Sequence, residues 1–269
     1  MKDTKRFMRT LVLVGSLVLS VLALSATSVA ADITGKQIIE NVDNAPVADD
    51  ARLLMTMTLI NDKDQSIERR MWSWKLGTTE TALVFLAPDD VKGTAFLTIE
   101  LPDYSNDMWL YLPSLGLTKH IDADSKTQNF MGSDFTYDDM GHRDISDYDY
   151  EILREETYDG NHVYVVKATA HDPQEVGYSH MVSWIRDDIW KPVKVEYYDL
   201  SGELEKVQTN SKIEEIDGYW AVTEMVMENV QTEHKTIVAM TKIEVNTGVP
   251  AEVFTADWLP KLLSLVPQQ

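Results

Sequence analysis

From Arg52 to Val245 the chain keeps one cadence: a short run with apolar side chains at every second position, a few turn residues, then another such run. A period of two sends successive side chains to opposite faces of an extended strand. Leu53, Met55, Met57 and Leu59 alternate with Thr56 and Thr58, Asn61-Asp62-Lys63-Asp64 turns the chain, and Ile67 to Leu76 returns, which predicts a hairpin. The same pattern predicts strands at 81–86, 95–101, 108–112, 150–155, 162–170, 178–186, 193–198, 204–215, 219–230 and 236–245. Turn residues such as Ala87-Pro88-Asp89-Asp90, Asp159-Gly160-Asn161 and Asp217-Gly218 separate them. About a dozen strands at this spacing form a large antiparallel sheet or barrel. Two segments depart from the cadence at the ends. Ile33, Ile38, Ile39 and Val42 fall near helical spacing, and Pro250 opens a predicted helix over 250–259. Residues 125–147 show no period and are expected to form a long loop.

The sheet must hold together without covalent help, because none of the 269 residues is cysteine; thiol catalysis and cysteine metal sites are excluded with the disulfides. Lys2, Lys5, Arg6 and Arg9 precede an apolar run from Leu11 to Leu24, and Ser28-Val29-Ala30 supplies small residues before Ala31. This is the pattern of a cleavable export signal, residues 1–30, with cleavage expected after Ala30. The apolar run, about 14 residues, is short of the roughly 20 needed to span a bilayer. Residues 31–269 are expected to form a single soluble domain in the periplasm. With 44 Asp and Glu against 24 Lys and Arg, the formal charge is −20. Such a charge repels phosphates and speaks against nucleic acid or an anionic membrane surface as partner.

A search for catalytic constellations turns up little. The six histidines include no His-Glu-x-x-His pair, and Gly132-Ser133-Asp134 lacks the second glycine of a nucleophile elbow. Acids concentrate at Asp134, Asp138, Asp139, Asp144, Asp147, Asp149 and Glu151, but without the glycine and terminal glutamate of an EF-hand loop. The alternation of Asp147, Asp149 and Glu151 with Tyr148 and Tyr150 is what an edge strand with one solvated face shows. No metal site, no cofactor and no catalytic residue are expected. Apolar strand positions are abundant instead. Twelve methionines, two of them in the leader, supply flexible, polarizable surface suited to guests of varied shape, although alternating apolar residues most often simply pack a core.

Three segments carry a resemblance. Leu86-Ala87-Pro88-Asp89-Asp90-Val91-Lys92-Gly93-Thr94-Ala95-Phe96-Leu97, then Asp107-Met108-Trp109-Leu110-Tyr111-Leu112-Pro113, then Phe130-Met131-Gly132-Ser133-Asp134-Phe135-Thr136-Tyr137-Asp138-Asp139 resemble the outer-membrane lipoprotein-sorting protein family, similar in fold to LolA-like periplasmic lipoprotein carriers. The likeness runs from about Ile33 to Trp258. It implies a mainly β fold, an unclosed, strongly curved antiparallel β-barrel with N-terminal and C-terminal helices covering its mouth, around an apolar cavity for acyl chains. Where the family is often rich in arginine, Leu115-Gly116-Leu117-Thr118-Lys119-His120 offers one lysine and one histidine.

The expected function is that of a periplasmic carrier, not an enzyme, binding the acyl chains of a lipoprotein or lipid for transfer toward the outer membrane. Its expected partners are an inner-membrane export machine and an outer-membrane acceptor, with the carrier itself a monomer. The expected lipid-binding residues are Met55, Met57, Trp72, Trp74, Leu83, Phe85, Phe96, Leu97, Trp109, Met225 and Met227. A one-residue slip of register would reverse the face of any strand among them. Two other readings stand beside this one: a non-catalytic structural or adaptor module of the cell envelope with a packed core, and a hydrolase working through the carboxylates of Asp134–Glu151.

Overall fold

The computed structural model describes residues 33–267; the expected export signal lies outside the described residues. Thirteen strands form one antiparallel sheet: β1 (Asp50–Ile60), β2 (Ser66–Leu76), β3 (Glu80–Ala87), β4 (Ala95–Glu100), β5 (Asn106–Leu112), β6 (Leu117–His120), β7 (Tyr148–Tyr158), β8 (Asn161–Ala170), β9 (His180–Arg186), β10 (Lys191–Tyr198), β11 (Leu204–Ile216), β12 (Tyr219–Asn229) and β13 (His234–Val245). Every strand found by alternation is present. β6 escapes that reading because it has four residues, and its one apolar member, Leu117, is exposed.

Each strand pairs with its neighbour in sequence except β6 and β7, which do not pair, and β1 also pairs with β13. The sheet therefore runs from β6 through β1, β13 and β8 to β7, and its two edges, β6 and β7, are consecutive in the chain. Laid flat at about 4.8 Å per strand, thirteen strands would span roughly 60 Å. Yet one apolar cluster on a single face joins residues of β1–β5, β7–β10, β12 and β13. Only a strongly curved sheet brings them together. The face bearing that cluster is the inner face. The edges do not pair, so the barrel stays open along a seam between β6 and β7. Shortness protects the β6 edge, and the charged Glu151, Arg154 and Glu155 stand along β7, which discourages pairing with another chain.

Three flanking segments complete the packing. The helix α1 (Gly35–Asp43) starts at Thr34, whose side chain accepts from Gln37 N–H while the Gln37 side chain accepts from Thr34 N–H, a reciprocal cap. Its Ile38 is fully buried against Val166 and Ile185. Gly35 lies so close to β7 that an added Cβ would meet Tyr150 at 3.1 Å. The C-terminal stretch is not the regular helix expected over 250–259. It forms two 3-10 turns, Ala251–Phe254 and Ala256–Lys261, and one α-helical turn, Leu262–Leu265. Thr255 is extended between the first two, and Pro260 withholds an N–H inside the second. These turns press Val253, Phe254, Leu259 and Leu262 onto the outer face, against Trp72, Trp74, Ala82, Val84 and Leu97.

The third segment, residues 121–147, connects the two sheet edges and enters the interior. Phe130, Phe135 and Tyr137 are buried in the inner-face cluster. Phe130 sits 5.1 Å from Phe96, 6.1 Å from Phe85 and 5.5 Å from Tyr137, ring centre to ring centre. An isolated bridge between Asn129 and Thr136 holds its tip as a small hairpin.

At the start of β1, Asp50 fastens the first strand to the turn that follows the last. Its carboxylate accepts from Thr247 N–H at 2.8 Å, Thr247 Oγ1 at 2.9 Å and Gly248 N–H at 2.9 Å. Burial favours the neutral acid, but these bonds outweigh it and hold the carboxyl below the usual carboxylate range. A folded-state pKa below the unfolded one adds stability that is present above about pH 4 and is lost as pH falls through the folded value. Asp50→Asn is expected to lower the unfolding free energy by about 1–2 kcal/mol near neutral pH. Urea unfolding at pH 7 and pH 3 checks this: the gap between variant and parent should shrink at the lower pH.

Candidate functional site

The register of the β1–β2 hairpin decides which side chains face inward. Its turn sets Ile60 opposite Ser66, which places Met55 opposite Met71 and Leu54 opposite Trp72. On the other side of β1, Met55 pairs with Met240 and Met57 with Val238 of β13, and Val238 in turn pairs with Met225 of β12. The result is a methionine row across the inner face, Met71, Met55 and Met240, with Met57 and Met225 one step deeper. A β-bulge between Leu54 and Met55 accompanies the row.

These residues line an inner cavity of about 440 Å³. Leu53, Met55, Met57 and Ala51 of β1 form one wall, with Met71, Ser73 and Lys75 of β2 and Thr81 and Leu83 of β3 beside them. Val238, Met240 and Ile243 of β13 and Ala221, Val222 and Met225 of β12 continue the lining on the other side of β1, and Phe130, Phe135 and Met140 of the 121–147 segment close one end. At the other end stand Val47, Gly77, Thr78, Lys191, Tyr219 and Trp220. Val47 and Trp220 are 42% and 38% exposed, so this end opens to solvent with an apolar rim.

The eleven residues expected to bind lipid fall into three groups. Met55, Met57, Leu83 and Met225 line the cavity. Phe85, Phe96 and Met227 face the same way but are fully buried beneath the 121–147 segment, where Phe85 and Phe96 pack on Phe130. Trp72, Trp74, Leu97 and Trp109 occupy the outer face under the C-terminal turns and do not reach the cavity. The correction has a simple cause: if Met55 faces in, Met71 opposite it also does, and Trp72 and Trp74 then face out. Sequence reasoning missed Met71, Met240, Lys75 and Lys191. The first was recoverable by counting outward from the hairpin turn, whereas Met240 and Lys191 depend on long-range pairing.

The 121–147 segment is tied down by polar contacts to several strands. Asp139 is the centre of the largest group. Its side chain, only 3% exposed, accepts from Arg143 Nη2 at 2.6 Å and from Thr136 N–H at 2.8 Å. The Tyr178 hydroxyl also donates to it, at 3.1 Å, and the buried Lys206 of β11 donates to that same hydroxyl at 3.0 Å. Burial, followed by the Asp139 charge, drives the Tyr178 hydroxyl far above its usual pKa, so it remains a donor. Burial also raises the Asp138 carboxyl, against the pull of Arg143. Elsewhere Asp134 accepts from His234 Nδ1 at 2.8 Å and Thr236 Oγ1 at 2.6 Å. Asn106 of β5 exchanges two hydrogen bonds with the backbone of His142, and Arg69 of β2 donates to the carbonyl of Met131.

The acids between Asp134 and Glu151 are thus spread among separate structural tasks. Asp144 caps a helical turn, and Asp149 and Glu151 are exposed on the edge strand β7. Among the described residues, no three acidic or histidine side chains are grouped to hold a metal ion. No described helix is long and apolar enough to cross a membrane.

A family profile described as "Uncharacterized protein" matches residues 77–261. Among solved structures, an outer membrane lipoprotein-sorting protein domain from Vibrio parahaemolyticus is 31% identical, with a TM-score of 0.77 over 84% of this chain and 98% of that one. A DUF1329 family protein from Desulfovibrio piger is 27% identical, with a TM-score of 0.78 over 84% and 97%. A LolA superfamily protein from Nitrosomonas europaea, 20% identical with a TM-score of 0.67 over 84% and 99%, shares the fold. No curated protein sequence matches the chain.

Phe130 anchors the segment that ends the cavity, so its truncation tests that architecture. Phe130→Ala is expected to lower the unfolding free energy by about 3–5 kcal/mol. Urea unfolding reads this directly, and a loss below about 1 kcal/mol would show that the segment is not part of the core.

Proposed function

The chain belongs to the outer membrane lipoprotein-sorting protein family, with a LolA-like fold, and from that membership we propose that it is a periplasmic carrier that holds an acyl chain in its inner cavity. The observation that carries the proposal is the methionine-lined cavity of about 440 Å³, open at one end and closed at the other. A sheet this curved has room for a packed core, and the 121–147 segment fills part of the interior. The remainder is a cavity whose lining is mainly apolar. A cell-envelope adaptor with a filled interior has no need of such a space.

Methionine suits the task physically, because its thioether stem adjusts to an irregular guest. A methylene takes up about the room of one water molecule in the liquid, roughly 30 Å³, so the cavity holds on the order of 15 of them. Burying each yields about 0.8 kcal/mol, or on the order of 10 kcal/mol before ordering costs. That suffices for transport and leaves release to a partner able to offer a better apolar site. In this reading an inner-membrane machine loads the cavity through the end bordered by Val47 and Trp220, and an outer-membrane acceptor empties it. The role is non-catalytic, and the acidic surface keeps the protein off anionic headgroups between the two events.

Delipidated protein should bind a fluorescent acyl probe saturably. Met55, partly buried on the cavity wall, is the informative position: Met55→Asp should weaken the probe at least about tenfold, or 1.4 kcal/mol, with the circular dichroism spectrum unchanged. Met55→Leu should stay within about twofold. No saturable binding by the parent protein would remove the carrier reading.

A further inference from the structure

The cavity does not share the charge of the chain around it. Acidic residues outnumber basic ones 44 to 24, yet the charged side chains lining the cavity are Lys75, Lys191 and Asp139. Asp139 is committed to Arg143, Thr136 and Tyr178. The two lysines are not committed to anything. Among the described residues, neither ammonium has a hydrogen bond or an ion pair. Two lysines elsewhere on the sheet do have partners: Lys206 reaches Tyr178 at 3.0 Å and Lys194 reaches Glu196 at 2.7 Å.

Lys75 lies near the end of β2 and Lys191 opens β10, strands far apart in the sheet whose side chains curvature brings to one cavity. Surrounding protein lowers the pKa of both, and the like charge of Lys191 lowers that of Lys75 further. Lys191 is half-buried and Lys75 is exposed at the cavity edge, so what the pair shares is like charge at one lining, and an anion between them would relieve that repulsion. The apolar space beneath them takes on the order of 15 methylenes by volume, enough for one acyl chain and too little for two or three.

We propose that the cavity binds a single-chain amphiphile with an anionic head, a carboxylate or phosphate monoester, its chain against the methionine row and its head held by the Lys75 and Lys191 ammoniums. The inference rests on the reading that the cavity takes an acyl chain, and adds the head group and the number of chains. Lysine suits this task as a compact charge on a flexible stem, able to follow heads of different shape. The exposed Val47 and Trp220 beside it give the entering chain an apolar threshold.

The test uses the delipidated protein and three ligands of one chain length, palmitate, hexadecyl phosphate and hexadecanol, each displacing a fluorescent acyl probe near pH 7. Palmitate and hexadecyl phosphate should bind at least about tenfold more tightly than hexadecanol. In the Lys75→Gln, Lys191→Gln double variant the three should fall within about threefold of one another, with hexadecanol unchanged. Equal affinities in the parent protein, or a preference that survives in the double variant, would overturn the head-group assignment while leaving the acyl cavity standing. Failure of all three ligands to bind would instead remove the carrier reading on which the inference rests. Inorganic phosphate competing as well as hexadecyl phosphate would show a free-anion site. Dipalmitoyl phosphatidic acid binding as tightly as hexadecyl phosphate would overturn the single-chain assignment.

Discussion

The pairing of the first strand with the last governs the arrangement of everything else. A meander whose terminal strands were its edges would keep its open seam at the chain ends. Here β1 and β13 are joined along their length and pinned by Asp50 to the Thr247–Gly248 turn, so the seam moves to the middle of the chain. The connection between β6 and β7 must then cross the gap that those strands leave unpaired. Residues 121–147 do so by entering the inner face, and the same stretch that spans the seam becomes the floor of the cavity.

That placement explains why the segment combines large aromatic residues with so many short-range polar bonds. Phe130, Phe135 and Tyr137 bury apolar area, but an irregular backbone inside a barrel also exposes N–H and C=O groups that must find partners. Asn129 and Thr136 pair across the tip, Asp139 and Asn106 accept from the N–H groups of Thr136 and His142, and the Asp134 N–H donates to Thr236 Oγ1. The carboxylates concentrated here satisfy donors of a folded loop, with Arg143 as the ion-pair partner of Asp139 and His234 as a hydrogen-bond partner of Asp134.

Much of this was visible in the residues themselves, because alternation is local. The strand positions, the hairpin at Asn61–Asp64 and the short helix near Ile38 all follow from neighbours a few residues apart. The three motifs added the curvature that periodicity cannot supply. Facing was harder. Leu83, Met55, Met57 and Met225 reach the cavity and Trp72, Trp74, Leu97 and Trp109 do not, although every one is an apolar strand residue. The difference lies in register between strands, and at β1–β13 that register joins residues nearly two hundred positions apart. Nor does any spacing show that an aperiodic stretch such as 121–147 folds inward, or that Lys75 and Lys191 meet at one cavity.

The unpaired seam has a mechanical meaning of its own. In a closed barrel the number of strands and their stagger fix the girth, and no guest can alter it without breaking hydrogen-bonded ladders. In this sheet no ladder joins β6 to β7, so its two arms can spread or tighten by a small change of coil shared among twelve intact strand pairings. The bore of the sheet is therefore not fixed by hydrogen bonds around its whole circumference.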